Sequence, residues 1–578
     1  MPAPMLQRTV PQQNNERQIT QLQNELAECG VPVRLGLYKL KNFMIANGIW
    51  SISELDYGWR VEYQKALETE LASNTIHEYL KAFDKIKRYS LKKQMRITAN
   101  GRDVRPAYKN ELLYLPYHPV ESIASQFENA GRKQDFLWDF TLHTSEQLKR
   151  QVYSILHYIL ENAETMCGET NRTRLAGLRY LYQYCIAESI HDIEQIELHQ
   201  AEKFCNVPTE RLNAQKMASA LNYCRYALFM QADEINWDAN VWYLERFQLQ
   251  PERINESNEV KSLSFIEVPS RENRDLMKKY ARYSIGITNI TIGVIRAELI
   301  NIRKFLIYLN QTNICTVTAE QMNEYFRIQR EKEVKPGTYN GIVMTIQHFF
   351  HFLIARQYIE RIPFDAECLL KKTMPQHHNR SVSSEVYEEI LAKLYVFPET
   401  IRLMYLHLWG IGLRISEVCT LKGDAYYTQG EDAWIQVYQV KMKTYKRIPI
   451  PDALYKFMKV YLKKYEIKAD DYVFKGKKGG AFRTGNFTNQ MKKYCKINNI
   501  QGGEYLFKSH DYRHTIATEF YDTGVPLQSI RDYLGHDYEE MTEQYIDYMP
   551  KKIARASDEF FSTNSLLATM RGGENENG

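Results

Sequence analysis

Residues 509–548 read SHDYRHTIATEFYDTGVPLQSIRDYLGHDYEEMTEQYIDY and determine how the C-terminal part of the chain folds. Apolar residues recur three and four positions apart in HTIATEFYDTG and in LQSIRDYL, which predicts two amphipathic helices. Polar strings flank these helices: HDYRHT holds His510 and Arg513, YLGHDY holds His536, and EQYIDY holds Tyr545 and Tyr548. The stretch therefore predicts a helical domain with titratable side chains beside its helices.

Two further strings precede this stretch in the same domain. GLRISEVCTL contains Arg414 and Glu417, and VKMKTYKRIPIP contains Lys441 and Lys443. WIQVYQVKMK and RIPIP alternate apolar and polar residues, which predicts two short strands around a tight turn. Helical patterns fill the rest, so we expect a mainly α domain with a small antiparallel sheet, an α+β fold, over residues 380–560.

The chain has 578 residues, too many for one hydrophobic core, so several domains are expected. Helical periodicity predicts three modules before the last domain, followed by a short tail. Parts of these modules share one layout of helix, polar turn and second helix, which indicates either a repeat or ordinary helix–turn–helix pairs. The predicted boundaries are residues 1–130, 131–265, 266–375, 380–560 and 561–578.

Composition restricts the class of protein. The net charge of +5 is compatible with nucleic-acid binding without requiring it. Nine cysteines without a C-x-x-C pair are typical of reduced thiols and do not fit a zinc site. No apolar run reaches the roughly 18 residues of a membrane helix, and MPAPMLQRTV lacks a signal-peptide core. We expect no membrane association and a location in the cytosol, at the nucleoid if the source is bacterial.

In chain order, the five strings are GLRISEVCTL, VKMKTYKRIPIP, HDYRHT, YLGHDY and EQYIDY. Together they resemble the signature of the tyrosine recombinase (phage integrase-type) family. That signature has an Arg in G-L-R-x-x-E, a hairpin Lys, H-x-x-R, L-G-H, and a Tyr nine residues after the last His, which is Tyr545 here. The resemblance is strong over the last domain and weaker over residues 268–372. It implies a site-specific recombinase, an integrase or transposase of a mobile element, that cuts and rejoins DNA through a 3′-phosphotyrosine, with residues 266–375 as a core-binding domain.

The chemistry of phosphoryl transfer fits these residue types. Charge on the non-bridging phosphate oxygens needs planar paired donors, and Arg414 and Arg513 are the candidates, with His536 as a further donor. Tyr545 is the candidate nucleophile, with Tyr548 as the alternative, and His510 is the candidate proton acceptor. These cations remove the need for a metal, and neither a metal-ligand cluster nor an ATP-binding loop is present in the sequence.

The resemblance also implies a hairpin lysine that protonates the leaving 5′ oxygen. Counting back eight residues from Pro449 gives Lys441, whereas the same count from Pro451 gives Lys443. Strand alternation places both lysines on one face, and we prefer Lys443. Basic strings predict contacts with the DNA backbone. These predicted contact residues are Lys446, Arg447, Lys477 and Lys478.

The family resemblance implies further partners. Duplex DNA is held in a C-shaped clamp, and a homo-tetramer assembles on two DNA sites, with accessory DNA-bending proteins or a partner recombinase as additional candidates. No cofactor is expected. Two other functions share part of the pattern: a type IB topoisomerase that only relaxes DNA, and a non-catalytic DNA-binding regulator. The target DNA sequence is not readable from these residues.

Overall fold

The computed structural model describes residues 12–31, 37–98, 108–118, 120–127, 136–162, 168–209, 211–373, 380–477, 479–536 and 542. The chain divides into two compact units, an N-terminal unit of residues 1–242 and a C-terminal unit of residues 243–578. In the described parts of the chain, no helix combines the length and the apolar character needed to cross a bilayer.

The N-terminal unit is mainly helical. One short antiparallel pair of strands, β1 and β2, sets Leu113 opposite Trp138. The described elements up to the boundary are α1 (Gln12–Glu28), α2 (Leu37–Ala46), α3 (Tyr57–Glu68), α4 (Ser73–Thr98), β1 (Leu112–Tyr114), α5 (Glu121–Ala124), β2 (Leu137–Asp139), α6 (Glu146–Glu161), α7 (Gly168–Ala187), α8 (Leu198–Cys205), α9 (Ala214–Gln231) and β3 (Val241–Tyr243).

The C-terminal unit contains a helical half and a mixed half. The helical half comprises β4 (Ser262–Ser264), α10 (Arg271–Ile287), α11 (Ile292–Leu309), α12 (Ala319–Glu331), α13 (Pro336–Ala355) and α14 (Ala366–Leu369). The mixed half comprises α15 (Ser384–Ala392), α16 (Glu399–Ile411), α17 (Ile415–Cys419), β5 (Tyr426–Gln429), β6 (Asp432–Gln439), β7 (Thr444–Pro449), α18 (Asp452–Lys464), α19 (Thr484–Ile497), α20 (Ser509–Asp522) and α21 (Leu527–Leu534). The predicted mainly α fold with a small antiparallel sheet is confirmed.

The sheet of the mixed half has β6 at its centre, antiparallel to both β5 and β7. Ile435 on β6 lies opposite Tyr426 on one side and Ile448 on the other. Alternate residues of β6 are buried, from Ala433 to Gln439, because one face of the sheet packs on the core. The same face therefore includes one polar residue, Gln439, at the end of the strand.

Helix α16 contacts both the sheet and helix α20 in the core of the mixed half. His407 on α16 is fully buried, and its Nε2 accepts a hydrogen bond from the Tyr426 hydroxyl of β5 at 2.7 Å, while Nδ1 donates to the Leu403 carbonyl. The helix ends at Gly412, whose φ of +64° is a left-handed conformation that favours glycine. A Cβ at Gly412 would lie 3.3 Å from Ile516, so α20 packs closely beside this turn.

A segment before α10, residues 243–270, belongs to the C-terminal unit. The Arg253 guanidinium donates to the carbonyls of Ser284 (3.1 Å) and Ile285 (2.6 Å) in the last turn of α10, and to the Ile290 carbonyl (3.0 Å) in the loop that follows. These carbonyls have no partner within the helix, so a buried cation beside them stabilises the helix end. Ser257, a few residues on, is fully buried.

Close packing of α7 on α9 predicts a stability effect at Gly177. A Cβ there would lie 2.3 Å from the Ala220 Cβ, so Gly177→Ala forces the two helices apart. We expect a loss of about 1–3 kcal/mol in the stability of the N-terminal unit, measured by hydrogen exchange of the α7 and α9 amides in the full chain. Gly168→Ala, at the first residue of the same helix with open space around it, is the control. Equal exchange in the two variants would contradict this packing.

Candidate active site

Arg414 is positioned by the sharp turn that links α16 to α17. It is the residue before the first turn of α17, and Glu417 lies one turn later. The Glu417 carboxylate accepts from the Arg414 backbone N–H (Oε2, 3.0 Å) and from the Arg414 guanidinium (Nη1 to Oε1, 2.8 Å). The spacing in G-L-R-x-x-E thus lets one carboxylate cap the helix and orient the arginine.

Arg513 lies in the middle of the cluster, on α20, and is 1% exposed. Its Nη1 donates to the Gly412 carbonyl at 3.0 Å, two residues before Arg414. Its Nη2 donates to the Leu534 carbonyl and to His536 Nε2, the latter at 3.0 Å. One guanidinium therefore joins the end of α16 to the end of α21.

His536 follows the left-handed Gly535 that ends α21. A guanidinium only donates, so Nε2 accepts from Arg513 and the ring proton is on Nδ1, which donates to Thr542 Oγ1 at 3.0 Å. Burial, followed by the charges of Arg513, Arg414 and Lys446, lowers the pKa of His536 to about 3. The ring is therefore neutral, and the role of phosphate donor predicted from the sequence requires Nε2 to gain a proton and to give up its hydrogen bond from Arg513.

His510 lies in the first turn of α20, three residues before Arg513 and on the same helix face. Partial burial lowers the pKa of His510 to about 4, and the charges of His514, Arg513 and Arg414 act in the same direction. The imidazole is neutral at physiological pH. It has the protonation state that a proton acceptor needs.

The hairpin places its lysines differently from the sequence expectation. Strand β6 ends at Gln439 and β7 begins at Thr444, so Lys441 and Lys443 lie in the turn and strand alternation does not apply to them. Both are exposed, and Lys443 has a φ of +56°. The structure does not bring either side chain into the buried cluster.

Lys446, predicted to contact the DNA backbone, is only 8% exposed. Its ammonium lies 3.7 Å from Glu417 Oε2 and donates to the carbonyls of Leu534 (3.3 Å) and Tyr533 (3.5 Å). Burial lowers the pKa of Lys446 to about 8, although Glu417 opposes the shift. The reason for the inward position is register: Lys446 pairs with Val437 on the buried face of β6.

Glu417 balances this group of cations. Burial by itself would raise its pKa, but Lys446, Arg513 and Arg414 outweigh burial, and the pKa stays below the ordinary value of 4.5. Within the described cluster, three cations face one carboxylate, which leaves a surplus of positive charge. Such a surplus of positive charge is suited to holding an anion.

The other predicted site residues have separate positions. Arg447 is exposed and donates to the Gln436 side chain at 2.9 Å, and Lys477 is exposed. Tyr545, Tyr548 and Lys478 lie outside the described residues. Sequence reasoning missed Gln439 and the burial of Lys446, although alternation from Ile435 or Ile448 would have placed both on the inward face.

The Glu417 carboxylate leads to a stability prediction with a pH dependence. Glu417→Gln leaves buried cations without their counter-charge, so the free energy of unfolding should fall by about 3–5 kcal/mol at pH 7. Because the folded pKa lies below 4.5, this contribution is present above that pH and is lost as the pH falls through the folded value. Urea unfolding of both proteins at several pH values measures the difference.

Glu431→Gln, an exposed carboxylate in the β5–β6 turn, is the matched control and should leave the unfolding curve unchanged. A gap between wild type and Glu417→Gln that widens toward acid pH would contradict the assignment of Glu417 as the ionised partner.

The chain is similar to known proteins over part of its length. Residues 380–552 match the model of the phage integrase family. Over 354 residues the chain is 25% identical to transposase B from transposon Tn554 of Staphylococcus aureus strain Mu50, a match that covers 59% of this chain and 55% of the relative. Tyrosine recombinase XerA of Pyrococcus furiosus is 26% identical over 263 residues, which cover 44% of this chain and 84% of the relative.

Among solved structures, an integrase fragment of transposon Tn1549 in complex with circular intermediate DNA is 19% identical, with a TM-score of 0.39. That match covers 49% of this chain and 98% of the fragment. The chain spans about half the length of the Tn554 transposases that it matches. Residues 380–552 thus form a domain of the phage integrase family, the tyrosine recombinases.

Proposed function

We propose that this chain is a site-specific recombinase of a mobile element that cuts and rejoins DNA strands through a 3′-phosphotyrosine intermediate. The observation that carries the proposal is the buried Arg513, which contacts both His536 and the turn before Arg414. During strand transfer the phosphorus atom becomes pentacoordinate, and its non-bridging oxygens gain negative charge. Two guanidiniums held at one place can bind those oxygens with paired donors.

Tyr545 is the proposed nucleophile. Support comes from the hydrogen bond between His536 and Thr542, because Thr542 precedes Tyr545 by only three residues and is fully buried. A phenol attacks poorly until its proton is removed or cations stabilise the phenolate. The neutral His510 is the proposed acceptor of that proton, and Arg414 and Arg513 supply the positive field.

The leaving group is the 5′ oxygen of the cut strand, which needs a proton as the phosphorus–oxygen bond breaks. Lys441 and Lys443 are the proposed donors, because each lies in an exposed turn where a DNA strand can reach it. In the reverse step the freed 5′ hydroxyl attacks the phosphotyrosine and returns its proton to the same lysine. Bond energy is conserved, so neither ATP nor a metal enters the proposed reaction.

The proposed partners are duplex DNA and three further copies of the chain on two DNA sites. Recombination requires two sites to be held together, whereas relaxation by a type IB topoisomerase needs only one. Arg447 and Lys477, both exposed on the mixed half, are proposed contacts with phosphates. A chain with this activity would be found with the DNA of its cell.

Covalent trapping tests the nucleophile. The probe is a nicked duplex, selected from a random library for binding to the chain, that loses a short 5′-hydroxyl fragment after cleavage. Wild type and Tyr548→Phe should accumulate a protein–DNA adduct in a denaturing gel, while Tyr545→Phe should form none, because phenylalanine has no hydroxyl to attack phosphorus.

An adduct that persists in Tyr545→Phe would refute the assignment. Binding of the duplex by Tyr545→Phe, measured by electrophoretic mobility shift, shows that the variant is folded. Exchange of labelled strands between two duplexes separates recombination from relaxation: supercoil loss without exchange would favour the topoisomerase alternative.

A sulfur leaving group tests the lysines. Replacing the bridging 5′ oxygen by sulfur gives a thiolate, whose conjugate acid has a pKa of about 8.5, so protonation is no longer needed. Substitution of the true donor by alanine should slow cleavage of ordinary DNA by about 100- to 10,000-fold and leave cleavage of the sulfur substrate near wild type. Lys441→Ala and Lys443→Ala serve as controls for each other. Slow cleavage of both substrates by both variants would exclude the turn lysines as donors.

A further inference from the structure

We infer that Gln439 and Lys446 are positioning residues that fasten the β6–β7 hairpin to the turn carrying His536, so that the hairpin lysines and His536 are placed as one unit. This inference rests on the proposed function for its catalytic consequence. We give the name hairpin latch to the contacts that Gln439 and Lys446 make with the end of α21. These contacts do not depend on the proposed function.

Gln439 provides the first contact of the hairpin latch. It is the last residue of β6, is 3% exposed, and donates from Nε2 to the Gly535 carbonyl at 3.0 Å. The approach is so close that a Cβ at Gly535 would lie 2.2 Å from that Nε2. Gly535 also has a φ of +67°, so glycine serves both the turn and the contact.

Lys446 provides the second contact, from the other strand. Its ammonium donates to the carbonyls of Leu534 and Tyr533, the two residues before Gly535. Carbonyls in the last turn of a helix have no partner within it, and they carry the negative end of the helix dipole. The Leu534 carbonyl also accepts from Arg513. The three successive carbonyls of residues 533–535 therefore accept from three side chains outside the helix, of which Lys446 and Gln439 belong to the hairpin and Arg513 does not.

The same lysine connects the hairpin to Arg414. Glu417 lies 3.7 Å from the Lys446 ammonium and accepts from Arg414 with its other oxygen. The groups that face Lys446 are thus Glu417 of α17, Arg414 before it, Arg513 of α20 and the carbonyl end of α21. A displacement of β7 would be transmitted to both arginines and to His536.

The geometry of the turn makes this coupling relevant to the leaving group. Gln439 pairs with Thr444 across the base of the turn, and the backbone N–H groups of Met442 and Lys443 donate to the Gln439 carbonyl. The turn bearing Lys441 and Lys443 is therefore closed at the residue whose side chain holds Gly535. Loss of the hairpin latch should misplace the turn lysines and His536 together.

The test uses the full chain with Gln439→Ala and Lys446→Met, and Gln429→Ala as the matched control. Gln429 is an exposed glutamine at the end of β5, away from these contacts. We expect each latch variant to slow single-turnover cleavage by about 100-fold while DNA affinity stays unchanged, because misplacement affects the chemical step. Gln429→Ala should cleave at the wild-type rate.

Two readouts separate positioning from direct catalysis. Sulfur at the 5′ position should restore cleavage only in part, because His536 and the arginines remain misplaced. Adding Gln439→Ala to His536→Ala should cost much less than 100-fold, because the effects of coupled groups are not additive. Complete rescue of Lys446→Met by sulfur would make Lys446 the proton donor and overturn its positioning role, and multiplicative losses would overturn the coupling.

Hydrogen exchange tests the hairpin latch without requiring any reaction with DNA. The amides of Gly535 and His536 donate to the Arg531 carbonyl, and they should exchange faster in Gln439→Ala than in Gln429→Ala. If the wild-type chain forms no adduct with DNA, the proposed function fails and this measurement still decides the latch. Unchanged exchange at both amides would show that Gln439 does not hold the turn.

Discussion

The buried carboxylate of Glu417 is the constraint on which the rest of the site depends. Burying a cation in a protein interior costs free energy unless the cation has a partner. The side chains of Arg414, Arg513 and Lys446 are all mostly buried. Glu417 is 1% exposed and faces all three, so it lowers the cost of burying them. It does not neutralise them fully. The remaining charge, together with donors held in fixed directions, is what makes the cluster suited to a phosphate.

The ends of helices supply the remaining order. Arg513 donates to the Gly412 carbonyl at the end of α16 and to the Leu534 carbonyl at the end of α21, and Arg253 does the same at the end of α10. Each of these ends has carbonyls that the helix itself leaves unpaired. Guanidiniums that satisfy them are held rigid, because their donors are engaged in fixed directions. Arg513 thereby joins the ends of two helices and holds His536 through one side chain.

The hairpin shows why burial, and not charge alone, assigns a role to a lysine. Lys441, Lys443 and Lys446 lie within six residues of one another, yet two are exposed and one is buried. An exposed ammonium retains its hydration and can reach a DNA strand. A buried ammonium has lost that hydration, and it compensates through Glu417 and the carbonyls of α21. Burial therefore separates Lys446, which is held among protein groups, from Lys441 and Lys443, which are exposed to solvent.

Sequence by itself determined the fold class, the family and the linear order of the candidate residues. Short-range spacing carries this information: Glu417 three residues after Arg414 must lie on the same helix face, and His510 must lie near Arg513. The role of Tyr545 as nucleophile remains a prediction from spacing. The structure describes Thr542, three residues earlier, whereas Tyr545 lies outside the described residues. Only tertiary structure decided which groups the buried Lys446 and Gln439 contact, where β6 ends, and which nitrogen of His536 holds the proton. These features depend on which face of the sheet packs on the core and on contacts between elements far apart in the chain, and no local pattern specifies such contacts.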